Sequence, residues 1–250
     1  EVAGIVGESR NTTIKDSNNT GNVSTGSRGA GVVGYARDST ITNVSSEGNI
    51  TTQNPSGFDS GMAGGIVAFS NNTTIELSSN TGTVISNPDT SGGVVGKATD
   101  STIDRSYNTA DVSGEYYVGG FVGESANTTL TDTYSNGNVS AKDYAALFAG
   151  EVDGMSVIED SYATGSVTVE RSSKAGFAFN LADGTQLTDT YWNTETSGIT
   201  ESHFNDATPT EVPHGLTTNE MQGSVASSNM SGFDYTSIWN TTDEYPTLQD

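Results

Sequence analysis

Carboxylates dominate the charged groups of this sequence. The 250 residues carry 31 Asp and Glu against 9 Lys and Arg, a formal net charge of −22, with two His and no Cys. A glycoside hydrolase needs two carboxylates at a defined separation, and a lyase needs a positioned base. No carboxylate pair is distinguished from the others, and the basic residues do not gather at one position of the sequence pattern. We therefore predict no catalytic residue and no cofactor, with a polysaccharide-active β-helix enzyme as the alternative.

The acidic charge has two explanations. Carboxylates on the surface of a halophilic protein stay hydrated while salt screens their repulsion. Carboxylates can also bind calcium, but the Asp-x-Asp-x-Asp-Gly loop and the Gly-Gly-x-Gly-x-Asp repeat are absent. Single acidic residues such as Asp104, Asp132 and Asp160 are expected in turns or on a solvated face. We favour the halophilic surface, and the charge argues against nucleic acid as a partner.

Asn-x-Ser/Thr sequons are frequent, and in a secreted chain they are glycosylation acceptors. The sequons begin at Asn11, Asn18, Asn22, Asn43, Asn49, Asn71, Asn72, Asn127, Asn138, Asn229 and Asn240. A sequence rich in Asn, Ser and Thr also forms sequons by chance, so we expect glycans on a few of them. Three of the acceptors, Asn22, Asn49 and Asn138, recur at one position of the repeat described next.

The chain contains an internal repeat of about 28 residues. A small residue precedes a short apolar run at Gly4, Gly31, Gly65, Gly93, Gly120, Ala146 and Gly176, with steps of 27, 34, 28, 27, 26 and 30 residues. A second apolar position follows at Ile14, Ile41, Ile75, Ile103, Leu130, Ile158 and Leu187, and a third at Val23, Ile50, Val84, Val112, Val139 and Val167. Repeats that keep their phase at three positions indicate stacked structural units.

The repeat predicts an all-β fold, a β-solenoid or β-helix of about seven coils. Each unit has three short β-branched segments separated by turn formers such as Asn-Gly, and no segment has a helical period. Leu, Ile, Val and Phe make up only 46 residues, a composition typical of disorder, but stacking at about 4.8 Å aligns them into a thin core. We predict that residues 1–191 form the solenoid and that residues 192–250 form a C-terminal cap. A short helix is expected at Thr217–Met221, with Thr217 as N-cap and Glu220 three residues later.

Two columns of side chains could form surfaces. The first is a threonine column opposite the second apolar position, formed by Thr13, Thr40, Thr74, Thr102 and Thr129. Evenly spaced Thr can order water in ice-binding solenoids, but Lys15, Glu76 and Asp104 interrupt the second row that such a surface needs, so we favour a solvated face. The second column is formed by Tyr107, Tyr134, Tyr162 and Tyr191. Their even spacing from the apolar residue favours a row on the inner side bordering the core, and a sugar-stacking strip on the surface is the alternative.

Arg10 and Arg37 share a position in adjacent repeats. They could clamp a carboxylate, but ion pairs with Glu8 and Asp38 are the simpler expectation. The two histidines, His203 and His214, lie in the predicted cap.

The repeat resembles the GLUG repeat of bacterial and archaeal surface proteins. The resemblance is carried by Gly120-Phe121-Val122-Gly123, Asn127-Thr128-Thr129-Leu130, Tyr134-Ser135 and Gly137-Asn138-Val139. Segments of the tail, Thr190–Gly198, Gly215–Met221, Trp239 and Glu244–Leu248, are similar to the sequence that closes such arrays. The resemblance implies an extracellular or surface-attached, adhesin-like module and implies no activity.

Together these observations predict a non-enzymatic extracellular module of a halophile, serving as a rigid stalk, a cell-surface adhesin or a filament subunit. Its expected partners are other copies of itself, other cell-surface components or surface glycans. No run of about 18 apolar residues predicts a membrane-spanning helix. Glu1 begins within a repeat, so we expect a fragment or a processed product.

Overall fold

The chain folds as a parallel β-solenoid of about six turns. The computed structural model describes residues 1–53, 61–87 and 90–249. Within these ranges each strand of the solenoid pairs in parallel with the equivalent strands of neighbouring coils. The predicted fold class is therefore confirmed.

Four parallel sheets, A to D, run along the solenoid. Sheet A contains Val2–Ala3, Gly29–Ala30, Ala63–Gly64, Ser91–Gly92, Val118–Gly119, Tyr144–Ala146 and Ser173–Ala175. Sheet B contains Val6–Arg10, Val33–Arg37, Val67–Asn71, Val95–Thr99, Val122–Ala126, Ala149–Asp153 and Ala178–Leu181. Sheet C contains Thr13–Asn19, Thr40–Ser46, Thr74–Glu76, Ser79–Asn80, Thr102–Asn108, Thr129–Ser135, Val157–Ala163, Gln186–Asn193 and His214–Leu216. Sheet D contains Val23–Thr25, Ile50–Gln53, Val84–Asn87, Val112–Gly114, Val139–Ala141 and Val167–Val169.

The expectation of three strands per coil is therefore wrong, because the first apolar segment is divided. In the second coil a bend at Gly31 and Val32 separates a two-residue strand of sheet A from a five-residue strand of sheet B. A side chain at Gly93, the same position two coils later, would place its Cβ 2.1 Å from the carbonyl oxygen of Gly120. This close approach of stacked backbones explains why glycine recurs there.

One predicted repeat anchor is out of phase by a residue. Ala146 pairs with Gly119, so Leu147, and not Ala146, occupies the position of Gly120. The corrected steps between anchors are 27, 34, 28, 27, 27 and 29 residues, which is more regular than the sequence alignment indicated.

The apolar positions stack in register and fill the interior. The second position runs through Ile14, Ile41, Ile75, Ile103, Leu130, Ile158 and Leu187, and the third through Val23, Ile50, Val84, Val112, Val139 and Val167. All of these side chains are buried. Phe121, Phe148 and Phe177 add a stack whose ring centroids are 5.1 and 4.7 Å apart. These columns of buried side chains form a thin core that runs along the solenoid.

The chain after residue 191 first continues the solenoid. The strand Gln186–Asn193 crosses the predicted boundary, and Asn193 caps a short helix, α1 (Thr194–Ser197). The backbone of the following segment then pairs with the last coil, as where the Phe177 N–H donates to the Ser202 carbonyl at 2.9 Å. The strand His214–Leu216 joins the edge of sheet C.

Residues 217–249, which we call the C-terminal segment, lie against the outer face of sheet C. They contain α2 (Thr218–Met221), a 3₁₀ helix (Gly223–Val225), α3 (Ala226–Asn229) and an antiparallel pair of strands, Trp239–Asn240 with Thr247–Leu248. The predicted capping box at Thr217 and Glu220 is confirmed. This segment thus covers a side of the solenoid as well as following its last coil.

Candidate functional site

The tyrosine column lies on the outer face of sheet C. Tyr107, Tyr134 and Tyr162 are in register, with ring centroids 4.9 and 5.2 Å apart and planes within 3° and 5° of parallel. Tyr191 follows Tyr162 in register. Their cluster of buried residues is separate from the cluster that fills the solenoid.

The predicted inner location of the tyrosines is wrong because each of the four sheet C strands that carry them bends at a left-handed residue. In the strand Thr102–Asn108 this residue is Arg105, with φ of 42°. Ile103 points into the core before the bend, whereas Ser106 is the inward residue after it. The bend shifts the alternation by one residue, so Tyr107 faces outward.

The C-terminal segment covers the middle of the tyrosine column. Met221, Met230, Phe233 and Trp239 pack against Tyr134, Tyr162 and Tyr191. Tyr162 is completely buried, and its hydroxyl donates to the Pro246 carbonyl at 2.6 Å. The aromatic residues of the tail, expected to cap an end, therefore fix the segment to the side of the solenoid.

A column of carboxylates lies beside the tyrosines. It consists of the left-handed residues Asp132, Asp160 and Asp189. Asp132 is only 5% exposed, so the expectation of a solvated turn residue is wrong for it. In the preceding coil Arg105 occupies the position of Asp132, and Asp104 is the residue before it. Asp104 forms an ion pair with Arg105 at 2.7 Å.

Burial raises the pKa values of two of these carboxyls, those of Asp160 and Asp132. Desolvation, followed by the charges of Asp132, Asp189 and Glu159, raises the pKa of Asp160 to about 7. Desolvation also raises the pKa of Asp132, although a hydrogen bond from the Trp239 indole opposes this shift. Asp160 can hold a proton near neutral pH, and the Trp239–Asp132 hydrogen bond joins the column to the C-terminal segment.

A groove opens where the tyrosine column emerges from the C-terminal segment. Its volume is about 730 Å³. One wall is formed by Thr247, Leu248 and Gln249 of the C-terminal segment, and the solenoid side includes Arg105 and Tyr107. Stacked ring faces and polar groups that meet in a groove are suited to binding a small polar molecule with an apolar face.

Two tyrosine hydroxyls at the groove have no hydrogen-bond partner among the described residues. The hydroxyls of Tyr162 and Tyr191 bond to the Pro246 carbonyl and the Asp189 carboxylate. No described residue hydrogen bonds the hydroxyls of Tyr107 and Tyr134, although Tyr134 is only 4% exposed and lines the groove. Neither hydroxyl is among the buried unpartnered atoms, so both oxygens reach solvent and are free to hydrogen bond a ligand in the groove.

The other predicted chemical groups do not meet at this site. The salt bridges Arg10–Glu8 and Arg37–Asp38 confirm the simpler expectation for the two arginines. His214 pairs with Glu211 at 2.7 Å. Among the described residues, no group of three or more His, Asp and Glu could hold a metal ion.

The threonine column is in register and faces outward. Thr13, Thr40, Thr74, Thr102 and Thr129 pair in order along sheet C, and each is exposed or half-buried. The next coil has Val157 at this position, so the column ends there.

The predicted glycosylation sites differ in whether the side-chain amide nitrogen of the asparagine is hydrogen bonded. All the sequon asparagines are exposed except Asn71, which is half-buried. Several of the amides donate to protein oxygens, namely those of Asn18, Asn43, Asn72, Asn127, Asn138, Asn229 and Asn240. The amides of Asn11, Asn22 and Asn49 donate to no described residue, so these three exposed acceptors are the most open to modification.

Sequence reasoning missed the groove because it depends on the C-terminal segment. The break in the tyrosine column, from Ser79 to Tyr107, is visible in the repeat alignment. The wall formed by Thr247–Gln249 has no counterpart in the repeat and could not be placed from spacing.

Comparisons with known proteins identify a related segment and a related fold. The chain is 37% identical to Halomucin of Haloquadratum walsbyi over 94 residues, which cover 35% of this chain and 1% of Halomucin. The crystal structure of a "putative immunoglobulin A1 protease" from Bacteroides ovatus aligns with a TM-score of 0.63 at 18% identity, covering 95% of this chain and 75% of that one. This second match shows the β-helix fold alone. No family model matches the chain, so the GLUG resemblance stays a prediction. The described part of the chain contains no helix long and apolar enough to cross a membrane.

Proposed function

We propose that this chain is a rigid, non-enzymatic module of an extracellular cell-surface protein from a halophile. The observation that carries the proposal is the apolar stack that runs through successive coils inside a strongly acidic exterior. Stacked coils resist bending because each strand bonds to the strands before and after it. Such an element holds whatever it carries at a fixed distance from its attachment point.

The distribution of charge supports the halophilic part of the proposal. The cations are few and most of them already hold a carboxylate, as in the Lys97–Glu124 pair at 2.6 Å and the Lys142–Glu115 pair at 3.1 Å. The remaining carboxylates repel one another, and at about 1 M salt this repulsion is screened within roughly 3 Å. The segment shared with Halomucin also supports a surface protein of a halophile.

Surface labelling of intact cells tests the proposed location. Lys15 and Lys174 are exposed, so an amine-reactive reagent that does not cross membranes should label them in cells that produce the protein. We expect the modification at Lys15 before lysis, detected by mass spectrometry of peptides, with a cytosolic protein as the unlabelled control. Labelling that occurs only after lysis would contradict the proposed location.

A further inference from the structure

The tyrosine stack ends at Tyr107, because the next position in the column is Ser79. The column on the outer face of sheet C reads Asn18, Ser45 and Ser79 in the first three coils, and rings begin only at Tyr107. One face of the Tyr107 ring lies on Tyr134, and the other faces the coil of Ser79. Neighbouring strands are about 4.8 Å apart, so the space above Ser79 can hold one more ring in the stack.

The walls of this gap provide both apolar and polar groups. Leu77, which is 43% exposed, adds an apolar surface beside the free face of Tyr107. The Arg105 guanidinium lines the groove and forms an ion pair with the neighbouring Asp104 carboxylate. No described residue hydrogen bonds the Ser79 hydroxyl, and the hydroxyl of Tyr134 is likewise unpaired.

We propose that this groove binds a neutral pyranose unit of a saccharide, stacked on Tyr107 above Ser79. A pyranose has a CH-rich face that packs on an aromatic ring and hydroxyls at its edge that both donate and accept hydrogen bonds. The unpaired hydroxyls of Ser79 and Tyr134 and the Arg105–Asp104 pair supply the complementary groups.

The charges around the groove select a neutral sugar over an acidic one. The positive charge of Arg105 is already balanced by Asp104, whose hydrogen bond is the largest cause of its raised pKa. Glu76 and Asp132 also act on Arg105. An anionic sugar would enter a field of excess negative charge, whereas a neutral sugar is insensitive to it.

This inference goes beyond the proposed function, because a rigid module needs no ligand. The labelling experiment can succeed whether or not the groove binds sugar. Sugar binding can equally be observed with purified protein whatever its cellular location.

Calorimetric titration of the whole chain in 2 M NaCl tests the proposal. The probes are maltohexaose and cellohexaose as neutral saccharides and trigalacturonic acid as the acidic comparator. We expect a neutral probe to bind with a dissociation constant in the millimolar range or below, and Tyr107→Ala to weaken this binding at least tenfold. Tyr35→Ala is the matched control, because Tyr35 is also a half-buried ring stacked on one neighbour, Phe69, but belongs to sheet B.

A gap-filling variant protects the test against a folding defect. Ser79→Tyr should extend the stack, abolish saccharide binding and leave the melting temperature unchanged or higher. The proposal is overturned if neither neutral probe binds the unmodified chain, if only trigalacturonic acid binds, or if Tyr107→Ala or a folded Ser79→Tyr binds as well as the unmodified chain.

Discussion

The indole Nε1 of Trp239 donates a 2.7 Å hydrogen bond to the carboxylate of Asp132, 107 residues earlier in the chain. Both side chains are buried, Trp239 completely and Asp132 to all but 5%. This contact joins the C-terminal segment to the side of the solenoid and supplies a partner to a carboxylate that would otherwise be buried without one.

Removing the indole N–H should therefore destabilise the protein beyond the loss of packing. We expect Trp239→Phe to lower the free energy of unfolding by about 1–3 kcal/mol, because it leaves the Asp132 carboxylate without its donor. Urea unfolding measures the loss. In an Asp132→Asn background the same substitution should cost clearly less, and equal costs in the two backgrounds would show that the hydrogen bond does not couple the residues.

Asp160 should make stability depend on pH. Its pKa of about 7 in the folded protein lies above the ordinary aspartate value of 3.8, so the folded state binds its proton more tightly than the unfolded state. Between about pH 4 and pH 7 this residue's contribution to stability falls as the pH rises. We expect Asp160→Asn, which also tolerates the left-handed backbone, to stabilise the protein at pH 8 by on the order of 1–2 kcal/mol and to reduce this slope.

Urea unfolding of both proteins at pH 4 and pH 8 checks this expectation. The two curves should approach each other at pH 4, where Asp160 is protonated in the folded state. An Asp160→Asn variant that is equally destabilised at both pH values would contradict the raised pKa.

Leu77 occupies a strained position in the same left-handed column. Its φ is 50°, and the equivalent residue one coil earlier is Asn43, with φ of 53°. A bulky side chain in this conformation costs about 1–2 kcal/mol, which Asn avoids in part. We expect Leu77→Asn to raise the melting temperature, and a decrease would show that the exposed leucine contributes more by packing than it costs in strain.

The glycines at the bend between sheets A and B should not tolerate alanine where the backbones of neighbouring coils approach closely. Gly93→Ala would place a Cβ 2.1 Å from the Gly120 carbonyl oxygen, whereas the nearest atom to a Cβ at Gly26 is the Gln53 carbonyl oxygen at 3.5 Å. We expect Gly93→Ala to destabilise the fold by about 3 kcal/mol or more and Gly26→Ala to change it by less than about 0.5 kcal/mol. Similar effects of the two substitutions on thermal unfolding would count against the stacked geometry.

The stacking of the solenoid could be predicted from the sequence because apolar residues recur at regular positions of the repeat. The overall composition alone is typical of a disordered chain. Ile14, Ile41 and Ile75 keep their register although the two steps between them differ in length, 27 and 34 residues. The sixth anchor cannot be placed from the sequence, because Ala145, Ala146 and Leu147 are all acceptable at a buried bend. Only the backbone pairing of Ala146 with Gly119 resolves the shift.

The candidate site was predictable only in part. Spacing aligned Tyr107 with Tyr134 but assigned them to the wrong side, because a left-handed residue such as Arg105 or Asp132 reverses the alternation within a strand. Asp in a turn gives the same sequence signal whether it is solvated or buried. The burial of Asp132 depends on Trp239, whose contact has no local sequence signature.

The dependence of stability on salt tests the proposed function most directly. The free energy of unfolding in urea should be measured from 0.1 to 3 M NaCl at pH 8. With a net charge of −22, we predict a rise of about 2 kcal/mol or more, most of it below 1 M, where the Debye length falls from about 10 Å to 3 Å. A free energy of unfolding that stays constant or decreases over this range would contradict a surface adapted to high salt.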